Sequence, residues 1–233
     1  MWDGKLKAFT FSFDDGAVQD ERTIEILDKY GLKATFNVIS GFLGSTVTTV
    51  YNGRSIIRDK VLPKDLKRVY SNHEVASHTL AHERLPELSD EAVVFQVETD
   101  RKILSELCGY DVVGFAYPCG GVNADERTAN LIKEKTGVKY ARTIGATYSF
   151  DMPKNIYNFT ATAHFDDPKI MDLAREFINL KPTSPQMFYV YGHTYAMDFN
   201  DKITWQNFEE FCKLVSGKDD IFYGTNKQVL LGE

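Results

Sequence analysis

The sequence predicts one α/β domain organised around a parallel sheet. About seven strand-like runs alternate with amphipathic helices over its 233 residues, the pattern of a sheet layered with helices. The first unit is strand, helix, strand, a connection that joins parallel neighbours. Five short patches rich in Asp, His, Cys or Arg fall at or just past the carboxyl ends of these runs. Ligands gather there both in an (α/β) barrel and in an open doubly wound sheet, and the alternation alone satisfies either architecture.

Residues 6–13 read as a strand that Asp14-Asp15-Gly16 breaks. A helix follows over 20–30, with Asp20 as cap, Ile24, Leu27 and Tyr30 on its apolar face, and Gly31 as its stop. Residues 34–39 form a second strand. Residues 44–62 read as a β-hairpin insertion on the rim, with Asn52-Gly53 as the turn pair. Residues 73–77 return to the main pattern as a strand. A long helix over 89–107 has Ser89 as its cap, and Asp90 and Glu91 suit the positive end of its dipole. Residues 112–117 are a strand ending at Pro118. A helix over 123–135 carries Asn123 and Glu126 at capping-box spacing. Strands are predicted over 138–143, 159–163 and 187–191. Helices are predicted over 170–180 and 205–215, the last with Trp205, Phe208, Phe211, Cys212 and Val215 inward.

Composition narrows the function classes. A 43% hydrophobic content supports one substantial core, and a net charge of −6 argues against a nucleic-acid backbone as partner. No stretch approaches the roughly 20 apolar residues that span a bilayer. The start, Met1-Trp2-Asp3-Gly4-Lys5, lacks a signal-peptide pattern. A cytoplasmic location is therefore the expectation, with a mature form that has lost its leader as the alternative. Three widely spaced cysteines, Cys108, Cys119 and Cys212, suit neither a disulfide framework nor a cysteine zinc site.

The patches carry the chemistry. They are Phe13-Asp14-Asp15-Gly16, His78-Thr79-Leu80-Ala81-His82, Ala116-Tyr117-Pro118-Cys119-Gly120, Ala141-Arg142-Thr143 and Val190-Tyr191-Gly192-His193. Adjacent carboxylates at a turn can divide the labour, one binding a metal and one taking a proton. A glycine there permits both to face one site. Two histidines four apart share a face on one helical turn and can grip one cation. Two imidazoles and a carboxylate leave open positions for water and suit one divalent metal ion, Zn²⁺ first, with Fe²⁺, Co²⁺ or Ni²⁺ also compatible. His193 is the residue type most readily tuned to donate a proton near neutral pH. His73 reads as structural.

Asp14-Asp15-Gly16, His78-x-x-x-His82 and Tyr191-Gly192-His193 resemble the motifs of the polysaccharide deacetylases with the NodB homology fold, carbohydrate esterase family 4. The closing stretch from Asp219 to Asn226 also resembles one branch of that family. The resemblance implies a distorted (β/α)7 barrel in a single domain spanning 1–233. It implies that Asp15, His78 and His82 hold the metal, that Asp14 is the base and His193 the general acid, and that the backbone N–H of Cys119 helps hold the oxyanion. The family's third motif often carries an Arg that steadies the catalytic Asp. Ala116 stands at that position, and Arg142, on the next strand, is the expected replacement. The fourth motif, an Asp and a Trp near the acid, is not visible. Asp151, Asp166 and Asp167 are candidates for the Asp, and His164 is an alternative residue facing the site. Tyr117 and Tyr195 are the expected substrate contacts, with Tyr148, Tyr157 and Phe199 as further aromatic faces. The implied reaction is removal of acetyl groups from an N- or O-acetylated carbohydrate. A related amidase acting on a small amide and an inactive carbohydrate-binding homologue are the alternatives. Oligomeric state is not encoded legibly.

Overall fold

The computed structural model describes residues 2–51 and 53–232. In chain order its elements begin β1 (Lys7–Asp14), α1 (Gln19–Lys29), β2 (Ala34–Val38), β3 (Thr46–Tyr51) and β4 (Arg54–Asp59). They continue α2 (Leu66–Val69), β5 (Glu74–Ser77), α3 (Asp90–Cys108), β6 (Gly114–Ala116), α4 (Glu126–Lys135) and β7 (Tyr140–Thr143). The chain then forms β8 (Phe159–Thr160), β9 (Ala163–His164), α5 (Ile170–Asn179), β10 (Gln186–Gly192), α6 (Trp205–Val215), β11 (Ile221–Tyr223) and α7 (Asn226–Leu231).

Nine strands form one sheet in the order β8-β7-β6-β5-β2-β1-β10-β9, with β11 also beside β1. Every pairing in it is parallel. The two edge strands, β8 and β9, are separated in sequence only by Ala161 and Thr162. Three residue steps span at most about 11 Å, so the edges must lie close and the sheet must curl. This is the distorted barrel that the resemblance implies, with more strands than its seven. The crossing also explains why 159–163 is not the single strand predicted there. Its middle residues bond across the junction instead, through Thr147 N–H to Ala161 O and Thr162 N–H to Tyr189 O, both 3.0 Å.

β1 is the hub. All eight of its residues are buried, as expected for a parallel strand covered on both faces. Phe9, Phe11 and Phe13 pack against Phe36, Phe188, Phe208 and Phe211, several of them edge to face. Burying each such ring is worth about 2–3 kcal/mol. On the other face, buried Glu74 accepts bonds from Thr35 Oγ1 (2.6 Å), Tyr140 OH (2.7 Å) and Lys227 N–H (2.9 Å). Asn226, at the start of α7, bonds Thr10 and Tyr189 in the same interior layer.

Several predicted details are corrected. Asp20 does not cap α1. Val18 occupies the cap without a side-chain bond, while buried Asp20 accepts from Tyr70 OH and Thr194 Oγ1, each at 2.6 Å. Asp125 and Thr128, rather than Asn123 and Glu126, form the capping box of α4. Asn123 is instead buried, donating to Tyr117 O at 3.0 Å. The strand predicted over 112–117 is confined to β6. Trp205 packs half-buried against the core as predicted, with its Nε1 donating to Asp198 Oδ1 at 2.7 Å. Ser89 does cap α3, accepting from Ala92 N–H. His73 is structural, its Nδ1 accepting from Ala34 N–H at 3.1 Å.

The insertion is an antiparallel pair, β3 with β4, outside the barrel sheet. Asn52 of the predicted turn pair lies outside the described residues. No helix among the described residues is long and apolar enough to cross a membrane.

Candidate active site

The site forms where β1, β5, β6, β7 and β10 end. Asp14 is the last residue of β1, and Asp15 follows with φ 87° and Gly16 with φ 63°. That turn brings adjacent carboxylates to one cavity. It is held by Asp15 N–H to Asn37 O (2.9 Å) and by Asn37 Nδ2, which donates to Asp14 Oδ1 at 2.8 Å.

His78 directly follows β5. Its N–H donates to Val38 O and to Asp100 Oδ2, at 3.0 and 3.1 Å. His78 and His82 converge as predicted, with ring centroids 5.1 Å apart. They do so without a helix, which corrects the expected geometry. Residues 78–82 form an irregular loop with positive φ at Thr79 (67°) and His82 (57°). The loop is held by Gln96, whose backbone O and Oε1 accept from Leu80 and Ala81 N–H, both at 3.0 Å. Of the seven non-glycine residues with positive φ among the described residues, four are Asp15, Thr79, His82 and Cys119. Strained backbone is concentrated at this site, as is common where function fixes geometry.

Asp15, His78 and His82 each offer one donor atom within 4.8 Å of the others. Asp15 Oδ1 is 3.9 Å from His78 Nε2 and 3.7 Å from His82 Nε2. Ligands on a tetrahedral ion with bonds near 2.1 Å stand about 3.4 Å apart, so a small inward adjustment suffices. His78 Nδ1 faces Ala116 O at 2.7 Å. A proton on Nδ1 satisfies that carbonyl and leaves the Nε2 lone pair for a metal. Burial, only partly offset by the two carboxylates, drops His78 to about 4, so it is neutral at neutral pH. The donor set thus fits a divalent cation.

Asp14 and Arg142 meet behind this cluster. Arg142 Nη2 donates to Asp14 Oδ1, and the guanidinium lies 4.6 Å over the Tyr191 ring. Burial raises the Asp14 carboxyl, but Arg142, His78 and His193 outweigh it and hold its pKa below the usual value. The bonds from Arg142 and Asn37 both go to Oδ1, which leaves Oδ2 for a proton. His193, just past β10, is pushed below its ordinary pKa by burial, against the upward pull of Asp15 and Asp14.

A cavity of about 280 Å³ is lined by Asp14, Asp15, His78, His82, Tyr117, Cys119, His193 and Tyr195. These are all the predicted site residues except Arg142, which stands behind Asp14. The Tyr195 ring centroid is 5.3 Å from that of His193, whereas the Tyr117 OH is turned away to Tyr157 O (2.9 Å). Asp166 pairs with His164 Nδ1, and the His164 ring lies 6.0 Å from that of His193. Asp151 bridges to Gln186 at the far end of β10, and Asp167 bonds Tyr148 OH.

Sequence reading missed Asn37, Asp100, Arg58 and Lys60. Asp100, on α3, accepts from Ser40 N–H, Ser77 Oγ and His78 N–H, and burial lifts its pKa to about 7 despite those bonds. A lone Asp on the apolar face of a long helix was the available signal for it. Arg58 and Lys60 carry no such signal.

The sequence profile of the polysaccharide deacetylase family matches residues 3–141, more than half of the chain. The chain belongs to the polysaccharide deacetylase family. No curated protein sequence matches it. A Mycobacterium smegmatis protein named for the same family superposes with a TM-score of 0.68 at 18% identity, over 99% of this chain and 91% of the other. The Streptococcus pyogenes deacetylase PplD, solved with acetate, gives 0.51 at 20% identity over 64% of this chain, which spans only 61% of that protein's length. A Bacillus anthracis family 4 pseudoenzyme gives 0.54 at 15% identity, over 99% and 66%. At these identities the likeness is one of fold. In this member of the family the Asp14 carboxylate is steadied by Arg142, on β7.

Proposed function

We propose that this protein is a metal-dependent deacetylase that hydrolyses acetyl groups from an N-acetylated or O-acetylated carbohydrate. The observation that supports it most is the meeting, in one cavity, of the Asp15-His78-His82 donor set with Asp14 and His193. A divalent ion held there, Zn²⁺ by preference, would act as a Lewis acid toward a water molecule and the acetyl carbonyl.

The chain's own groups account for the proton movements. Asp14 Oδ2 takes a proton from water as the water oxygen attacks the acetyl carbon. The Cys119 N–H stabilises the resulting oxyanion, a contribution of roughly 3 kcal/mol for one well-placed donor. His193 delivers a proton to the leaving nitrogen, which an amide requires more than an ester does. Tyr195 offers a ring beside His193 on which a sugar face can rest.

The pseudoenzyme among the fold neighbours makes an inactive carbohydrate-binding protein the second reading. The buried Arg142–Asp14 pair favours turnover, because a binding surface has no use for an ionised carboxylate held beneath a metal site. Metal content and acetate release from N-acetylated chito-oligosaccharides, before and after chelation, test the proposal. The expected result is about one metal per chain, with acetate release lost on chelation and restored by metal. Metal without acetate release from amide or ester substrates points to the inactive reading. Absence of metal binding refutes the ligand assignment.

A further inference from the structure

Asp15 divides its carboxylate between two environments. Oδ1 faces the imidazoles of His78 and His82 at 3.9 and 3.7 Å. Oδ2 faces two cations, Arg58 Nη1 at 3.1 Å and Lys60 Nζ at 3.8 Å. Both cations come from the hairpin insertion, Arg58 within β4 and Lys60 just beyond it. The root of the hairpin is sewn to the Asp15 turn by Val18 N–H to Asp59 O (2.9 Å) and Val61 N–H to Gly16 O (3.1 Å).

The two cations differ in what they do. The Lys60 side chain is 2% exposed and also donates to the Asp15 backbone O at 2.8 Å, so it fixes the strained turn itself. The Arg58 side chain is 15% exposed and lines the cavity. Its Nη1 also donates to Tyr195 OH at 2.9 Å, with the guanidinium 4.7 Å over the Tyr195 ring. Arg58 is therefore a charge placed at the edge of the donor set, where burial limits screening by water.

Resting on the metal-dependent reading above, we propose that Arg58 and Lys60 are positioning residues that set the affinity of the site for its divalent ion. They hold Asp15 so that Oδ1 alone is offered, and they offset the carboxylate charge that would otherwise draw the ion in. A carboxylate that shares its charge with two cations attracts a divalent ion less strongly. With Oδ2 engaged, it also leaves more of the coordination sphere for water and substrate. The hairpin is thus part of the active site, and its charge tunes how readily metal is taken up and released.

The test is the Zn²⁺ dissociation constant of the metal-stripped full chain, measured by competition with a chromophoric chelator at fixed ionic strength. Arg58→Met and Arg58→Gln remove the charge while Lys60 still anchors the turn. They should bind Zn²⁺ about tenfold tighter or more, and Arg58→Lys should stay within about threefold of wild type. Loss of a contact that merely kept the site assembled would weaken binding, so tighter binding by the uncharged variants is the outcome that such a role does not give. Equal or weaker binding by both uncharged variants, with thermal unfolding showing them folded, overturns the proposal. Asp15→Asn serves as the control and should bind at least about a hundredfold more weakly. If wild type binds no Zn²⁺, or Asp15→Asn binds as wild type does, the metal assignment fails and this inference with it. Wild-type binding with no Arg58 effect sinks the inference alone.

Discussion

Arg142 Nη2 lies 2.5 Å from Asp14 Oδ1, with the guanidinium wholly buried and the carboxyl nearly so. The register explains how Arg142 reaches it. Ala116 on β6 pairs with Arg142 on β7, and paired residues of parallel neighbours face the same side of a sheet. An arginine moved one strand over therefore projects into the same interior. The vacated Ala116 still serves the site, its carbonyl facing His78 Nδ1.

Arg142→Met strands a buried carboxylate, a loss that costs about 3–5 kcal/mol of stability. Arg142 helps hold Asp14 below its ordinary pKa, so its removal raises that pKa. A base works only above its pKa, so the acid limb of the pH–rate profile should move to higher pH. An unshifted limb in a folded variant would show that Arg142 does not govern the base.

Gly41 should be intolerant of a side chain. A Cβ there would stand 2.2 Å from Leu80 O, inside the loop that carries both histidines. Backbone cannot yield as a flexible side chain does, so Gly41→Ala should displace residues 78–82. We expect metal affinity to fall by at least about tenfold with far-UV circular dichroism unchanged. Wild-type affinity in the variant would mean that the loop accommodates the methyl group elsewhere.

His164 and Asp166, both candidates for the missing fourth-motif role, pair with each other near the expected acid, with the His164 ring 6.0 Å from that of His193. His164→Phe preserves the ring that packs against Tyr191 and removes its hydrogen bonds. If the pair orients the acid, kcat on an N-acetyl substrate should fall about tenfold or more. Hydrolysis of an activated acetate ester, whose leaving group needs no proton, should change less. Equal losses on both substrates would assign His164 to packing or binding.

Asp20 makes stability depend on pH. Burial lifts its pKa from 3.8 to about 7, despite bonds from Thr194 and Tyr70. Between those values the folded protein keeps a proton that the unfolded chain has released. The contribution is therefore present below about pH 4 and lost as pH rises through about 7, with a size on the order of 4 kcal/mol. Urea unfolding at pH 4.5 and pH 8 should show a smaller loss of stability for Asp20→Asn than for wild type. Identical pH dependence in the two would refute the assignment.

The sequence by itself determined the alternation of strands and helices and the position of each chemical patch at a strand end. Both are local properties, carried by periodicity and by turn residues such as Gly16 and Pro118. It also pointed to Arg142 as the partner of Asp14, because a missing motif residue leaves a charge that a neighbouring strand can supply. Only the tertiary structure decided the rest. The histidine pair is held by an irregular loop rather than a helical turn, because Gln96, Asp100 and Gly41 shape it from other elements. Asp20 and Asn123, read as caps, are buried instead in contacts with distant residues. Arg58 and Lys60 reach Asp15 from more than forty positions away, with separations of 43 and 45 residues. Such contacts depend on how the sheet curls and where the hairpin root is pinned, and no periodicity in the chain records either.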